Sequence, residues 1–275
     1  MRASRAGMQA GIQVILIFVT FVSIAPILII WVSSFKTSSE LSTSPLGLPH
    51  QWHFSNFADA WNQAHMGQYA INSVLITVPT LLLVLTTASL AGYAFAVLTF
   101  RGRTLLFSLF LLGLMVPSIS VVVALFYTVH DLGLLNTRSG LVLAETAQSL
   151  PLATFIMRSA FRDLPRELRE AAMVDGCREL EVFVRIMAPL ARSGLAAATL
   201  LVFLQVWNDY LLPLVLTSSD ELRTLPLGVA FLQGEYVNNI VLIAAGTSLA
   251  SLPSVLIYVI LHRQFAQGVV AGSLK

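Results

Sequence analysis

Long apolar runs separated by short polar stretches organise this chain. Residues 6–35 carry no formal charge, and a helix over 12–33 would cross a hydrocarbon core of about 30 Å at roughly 1.5 Å per residue. Further spanning helices are predicted over 72–98, 104–129, 139–157, 193–216 and 240–261. The fourth run is interrupted by Glu145, Gln148 and Pro151 between Arg138 and Arg158, and the fifth by Asn208, Asp209 and Pro213. No window alternates with the period of two that a barrel strand needs. The pattern therefore predicts an all-α membrane protein with six transmembrane helices.

Composition agrees with that class. The 275 residues are 56% hydrophobic and 11% charged, with a mean hydropathy of +0.80. A soluble core could not hide so much apolar surface, so lipid must cover it. The net charge of +2 gives no argument for nucleic acid. Cys177 is the only cysteine, which rules out an internal disulfide and leaves a metal site no cysteine partner. Arg2 and Arg5 followed by apolar residues imitate a signal peptide. The run is about twice the usual ~7–15-residue apolar region and lacks a small-x-small end, so a retained first helix is expected.

The basic residues assign the sides. With six spans and the N-terminus inside, thirteen of the sixteen lysines and arginines fall on the inner side. Only Lys36, Arg138 and Arg223 fall outside. This bias predicts a multi-pass membrane protein with both termini in the cytoplasm.

The loop 162–192 is then cytoplasmic, and it holds six arginines and six of the fourteen acids. Pro165 suits the first turn of a helix. Leu164, Leu168, Ala171 and Ala172 would share one face of it. Asp175-Gly176 signals a turn, with Gly176 able to adopt the left-handed conformation that ends a helix. A second short helix would place Leu180, Phe183, Val184 and Met187 on one side, and Glu181 would pair with Arg185. A segment made for anionic lipid would be polybasic. Balanced charge around a small apolar face suits a protein surface, although an amphipathic hairpin lying among headgroups has the same periodicity.

Two other groups of residues carry candidate chemistry. Gln205, Asn208 and Asp209 would share one helix face at i, i+3 and i+4, with Tyr210 beside them. Asp209 would lie about 25 Å along the helix from Arg192, toward the outer boundary. Glu145 and Gln148 enter the fourth span at comparable depth. These groups either line a polar path, since they are costly in lipid, or reach outer headgroup water and brace helices. The outer segment 36–70 carries aromatics with His50, His53 and His65. The histidine spacing fits no standard metal site, and an interfacial segment with aromatic anchors is expected.

Residues 170–190 resemble the EAA loop of the permease subunits of ATP-binding-cassette importers. The match rests on Glu170, Ala171, Ala172, Gly176, Ile186 and Pro189, and it departs at Ala188 and Ser193, where the pattern has leucine and often proline. In order along the chain, "SSFKT" (33–37), "NSVLIT" (72–77), "LGLLNT" (132–137), "LPRELREAA" (164–172), "WNDYLLPL" (207–214) and "AGSLK" (271–275) resemble the carbohydrate branch. They are most similar to its second six-helix permease, as in maltose-type and glycerol-phosphate-type systems.

The resemblance implies the type I ABC importer permease fold with cytoplasmic coupling helices. It implies an N-terminal helix and outer loop over 1–71, a transmembrane core over 72–263 that includes the coupling loop 162–192, and a cytoplasmic tail over 264–275. It implies Glu170, Ala171, Ala172, Asp175, Gly176, Ile186 and Pro189 as ATPase-coupling residues. The implied partners are a second homologous permease, a cytoplasmic ABC ATPase dimer and an extracytoplasmic solute-binding protein. The "QGVVAGSLK" tail is similar to one that reaches toward the ATPase in maltose-type permeases. No phosphate-cradling G-x-x-x-x-G-K-[ST] is present, so this chain is expected to be no enzyme and to bind no cofactor, with ATP and Mg held by the partner. The sequence leaves open a proton-coupled secondary transporter that uses Asp209 and Glu145 as a relay. An ABC permease for a non-sugar solute also stays open.

Overall fold

The computed structural model describes residues 2–63, 65–235 and 239–273, and the described residues are almost wholly helical. The elements are α1 (Arg2–Ser33), α2 (Ser38–Thr43), α3 (Ser55–Gln63), α4 (Met66–Val97), α5 (Arg103–Met115), α6 (Ser118–Asp131) and α7 (Arg138–Arg162). They continue as α8 (Arg166–Val174), α9 (Glu179–Val182), a π-helical turn Phe183–Met187, α10 (Ala188–Leu190), α11 (Arg192–Asn208), α12 (Leu211–Leu216), α13 (Leu225–Glu235) and α14 (Ile240–Ser273). Four helices are long and apolar enough to cross a membrane, or six spans if each sharply bent pair counts as one. The chain divides into two compact units, one comprising residues up to Gly67 with Gly228–Ser251, the other Gln68–Leu227 with the residues from Leu252 onward.

The first unit holds α1 to α3. From Ile12 to Ile30 α1 is almost entirely exposed apolar surface, which only lipid or another apolar surface can cover, before its end turns inward at Ser33. The Trp31 indole N–H donates to Ser251 Oγ on α14 at 3.3 Å. The segment after α1 is more folded than the interfacial stretch expected from sequence. Lys36 is fully buried, and its ammonium donates to the carbonyls of Ser44 and Pro45 at 2.7 and 3.1 Å. That pairing is what a buried cation requires. Phe35 anchors the segment, its ring 5.0 Å from Trp52, 5.2 Å from Phe54 and 4.9 Å from Phe57. Asn56 closes it by donating to the carbonyls of Ser34 and Lys36.

The second unit carries the core. There α7 packs most extensively against α11 and also meets α5 and α6. Small residues let these helices approach: Ala153, Ala198 and Ala88 are fully buried. At Gly92 a Cβ would stand 2.8 Å from both the Arg158 amide nitrogen and the Met157 Cβ. Hence α4 and α7 cross there almost backbone to backbone.

Two predicted spans are corrected. The third is two helices, α5 and α6, bent by 107°. Pro117 pushes Val116 out of the helical region (ψ 122°), and α6 begins directly after the proline. The fifth ends at Asn208, because Asp209 is extended (ψ 131°) and its carboxylate accepts from the Leu211 amide at 2.8 Å. That contact turns the chain into the short α12. Gln205, Asn208 and Asp209 therefore do not share one helix face. The fourth span, by contrast, runs unbroken through Pro151, capped by the Thr137 hydroxyl on the Gly140 amide.

Candidate functional site

The loop between α7 and α11 is built around Gly176. At φ +87° this residue sits in the left-handed region, where a side chain is strained although space is open around it. The Cys177 amide donates to Ala172 O at 3.0 Å and the Gly176 amide to Met173 O at 3.1 Å. This pair of bonds is the glycine-terminated helix stop expected from Asp175-Gly176. The chain then enters α9, where the Glu181 carboxylate accepts from the Arg178 amide at 2.9 Å. Glu181 thus caps its own helix rather than pairing with Arg185.

The buried face of the loop differs from the expected one. Ala172, Val182 and Met187 are buried, with Leu164, Phe183 and Ile186 packed against the same core. Leu168, Leu180 (66% exposed) and Val184 (55%) point outward. The π-turn at Phe183–Met187 winds more than 3.6 residues per turn and takes Val184 off a regular helix face, whereas Leu168 and Leu180 are already exposed on the helices before it. Of the expected coupling residues, Glu170, Ala171, Asp175 and Pro189 are exposed, Ala172 is buried and Ile186 is half-buried. The loop therefore presents an acidic and apolar surface around Glu170 with Leu168, Met173 and Val174.

An ion pair that the sequence did not reveal holds the two limbs together. Arg169 on α8 forks onto Glu179, the first residue of α9, with Nε to Oε1 at 2.9 Å and Nη2 to Oε2 at 2.6 Å. The Tyr93 hydroxyl on α4 donates to the same carboxylate. Hydrogen bonding from Arg169 holds the Glu179 carboxyl below its ordinary range, helped by Tyr93 and opposed by partial burial. The same bonds push the Arg169 guanidinium upward. Residues ten apart in sequence, across a turn, leave no periodic signal. Only the repeated alternation of arginine and acid in this loop hinted at such a pair.

The second region is a cavity of about 270 Å³ at the break between α5 and α6, lined among others by Gly113, Val116, Ser118, Gln148, Pro151 and Gln205. The structure thus brings two of the expected path residues, Gln148 from α7 and Gln205 from α11, to one wall. Glu145 is 1% exposed and lies against Asp209. Among the described residues, no hydrogen-bond partner meets Glu145 Oε2 or Gln148 Oε1. Asn208 is turned elsewhere, its amide donating to Leu204 O at 2.7 Å and its carbonyl accepting from Ser254 Oγ at 3.2 Å. Tyr210 is 51% exposed. Neither is among the residues lining the cavity. Among the described residues no cluster of metal-ligating side chains occurs.

A third arrangement, at the far end of α4, went unrecognised in the sequence. The Asn72 amide donates to the carbonyls of Glu221 and Arg223 at 2.7 and 3.0 Å, while its oxygen accepts from Arg138 at 2.9 and 3.2 Å. Ser73 Oγ accepts from the Leu225 amide at 2.8 Å. Asn136 at φ 54° receives the Ser218 and Ser219 amides on its side-chain oxygen. These bonds give structural work to the "NSVLIT" and "LGLLNT" stretches.

Comparisons with known proteins accord with this geometry. Residues 85–270 match the family model described as binding-protein-dependent transport system inner membrane component. The chain is 36% identical to a diacetylchitobiose uptake system permease protein of Streptomyces coelicolor, over 95% of this chain and 87% of that one. It is 35% identical to an arabinooligosaccharides transport system permease protein of Halalkalibacterium halodurans, over 94% and 93%. Its fold matches a chain in the crystal structure of a bacterial ABC transporter involved in import of the acidic polysaccharide alginate, at a TM-score of 0.81 and 22% identity, covering 96% of this chain and 98% of the other. With its multi-spanning helical fold and an EAA-type loop closed at Gly176, this chain belongs to the inner-membrane permease subunits of binding-protein-dependent ABC importers.

Proposed function

We propose that this permease forms half of the path for a carbohydrate solute, and that the loop from Arg166 to Leu190 seats in a surface cleft of a cytoplasmic ATPase dimer. The observation that carries the coupling role is the loop itself. Its two limbs are held rigidly by the Gly176 turn and the Arg169–Glu179 fork, while Glu170 and Ala171 face outward with apolar neighbours. Such an element transmits displacement rather than absorbing it. A second, related permease supplies the other half of the path, a solute-binding protein delivers the cargo on the outside, and both termini lie in the cytoplasm.

The carbohydrate assignment draws support from the relatives, which are named for diacetylchitobiose and arabinooligosaccharide uptake. The cavity supports it chemically. Gln148 and Gln205 offer amide donors and acceptors on an otherwise largely apolar wall, which suits a hydroxylated neutral solute. At about 270 Å³ it suits one sugar unit better than a long chain.

The test is uptake of radiolabelled diacetylchitobiose, arabinooligosaccharide and lactose in cells carrying the complete system, with this chain tagged. An ATPase should co-purify, and uptake of at least one sugar should collapse when ATP is depleted while the proton gradient is maintained. Uptake that follows the proton gradient instead would overturn the reading and favour a Glu145–Asp209 relay.

A further inference from the structure

We infer that the Tyr93–Glu179–Arg169 link is the strut through which α4 sets the position of the coupling loop, so that Tyr93 and Glu179 are positioning residues for energy coupling. This inference rests on the coupling role proposed above and adds the element that drives the loop.

The fork between Arg169 and Glu179 already closes the loop upon itself. What Tyr93 adds is a connection to the membrane helix. Its side chain is 4% exposed, and its ring stands edge-on to Phe161 of α7 at 5.4 Å and tilted against Phe183 of the π-turn at 5.2 Å. Three elements therefore meet at one ring. The neighbouring residue is Gly92, where α4 and α7 touch backbone to backbone. Tyr93 cannot move without α7, so the pair of helices acts as one body at this point. From that body a phenolic hydroxyl reaches a carboxylate shared by both limbs of the loop, and a charged acceptor makes this the strong kind of hydrogen bond. Any shift of the loop relative to α4 must break the bond or carry α4 with it.

The other end of α4 is held as firmly. Asn72 and Ser73 bind the backbone from Glu221 to Leu225, about 32 Å along the helix from Tyr93. One helix thus joins the loop at the far end of the second unit to the coupling loop. A continuous helix anchored at both ends can carry a displacement from one anchor to the other.

The experiment uses the native complex, isolated through a tag on this chain and placed in lipid nanodiscs, with MgATP as the only added ligand. Tyr93→Phe removes the hydroxyl and keeps the ring contacts, and Glu179→Gln removes the charge. Tyr93→Phe, which leaves the Arg169–Glu179 fork in place, should retain ATPase within about twofold of the parent. Hydrolysis per retained ATPase, without binding protein, should rise about fivefold or more as the loop escapes control by α4. The double variant should rise no further than the larger single, because one link is being removed. Parental hydrolysis in both single variants would overturn the inference. Loss of ATPase from Tyr93→Phe would also overturn it, since the hydroxyl would then only build the loop. A parent complex that retains no ATPase would instead remove the coupling reading and this inference with it.

Discussion

At the scale of single residues, the coupling loop depends on backbone geometry at Gly176 and on charge at Glu179. Nothing lies within 4 Å of a Cβ placed on Gly176, so a substitution there acts through φ alone. Alanine should cost about 1–2 kcal/mol locally and a β-branched valine more. Gly176→Val should therefore lose most ATPase retention at normal membrane levels, with Gly176→Ala in between, as read by co-purification. Glu179 allows a pH prediction. Its folded carboxyl is held below the ordinary range by Arg169, so its contribution is present above the ordinary carboxylate pKa and is lost as pH falls through the lowered folded value. Amide protection at Gly176 and Cys177, taken relative to intrinsic exchange at each pH, should be high near neutrality and fall on acidification. Glu179→Gln should already show low protection at neutral pH and lose that acid transition. Gly176 was legible because Asp-Gly before an apolar period has few other meanings. Tyr93 was not, since a tyrosine inside an apolar span is ordinary until its partner across some 86 residues is known.

At the scale of elements, the all-helical spanning pattern was legible and the continuity of the spans was not, since four helices are long and apolar enough to cross, or up to six spans if each bent pair counts as one. Pro26, Pro79, Pro151 and Pro253 all lie inside unbroken helices, whereas Pro117 separates α5 from α6 by 107°. A proline alone therefore does not decide a break. Where the break falls is tertiary information. The same limit explains the polar residues. Gln148 and Gln205 were recognised as path candidates and do meet at the cavity, but Asn208 and Tyr210 were carried along by an assumed helix that stops at Asn208. Gly92→Leu should prevent α4 and α7 from approaching and reduce the folded chain in membranes, measured by protease resistance. Gln148→Leu and Asp209→Leu should each lower sugar uptake at least tenfold while ATPase retention stays near parental. Loss of retention in both would assign these side chains to bracing helices instead.

At the scale of the whole molecule, the proposed cytoplasmic side of the loop is open to a direct test through the single cysteine. Cys177 is half-buried next to the turn. A membrane-impermeant maleimide should modify it in inside-out vesicles and not in intact spheroplasts, and bound ATPase should slow the reaction. Labelling from outside would reverse the topology read from the arginines. The central claim is that an exposed acid on a rigid hinge joins this permease to its ATPase. Glu170→Lys tests it most directly, because it reverses the charge on an exposed side chain and leaves the Gly176 turn, the Arg169–Glu179 fork and the membrane helices untouched. The measurement is ATPase recovered with the tagged chain from membranes matched for permease level. Recovery should fall at least fivefold, with normal insertion and normal Cys177 reactivity in vesicles stripped of ATPase. Parental recovery would contradict it.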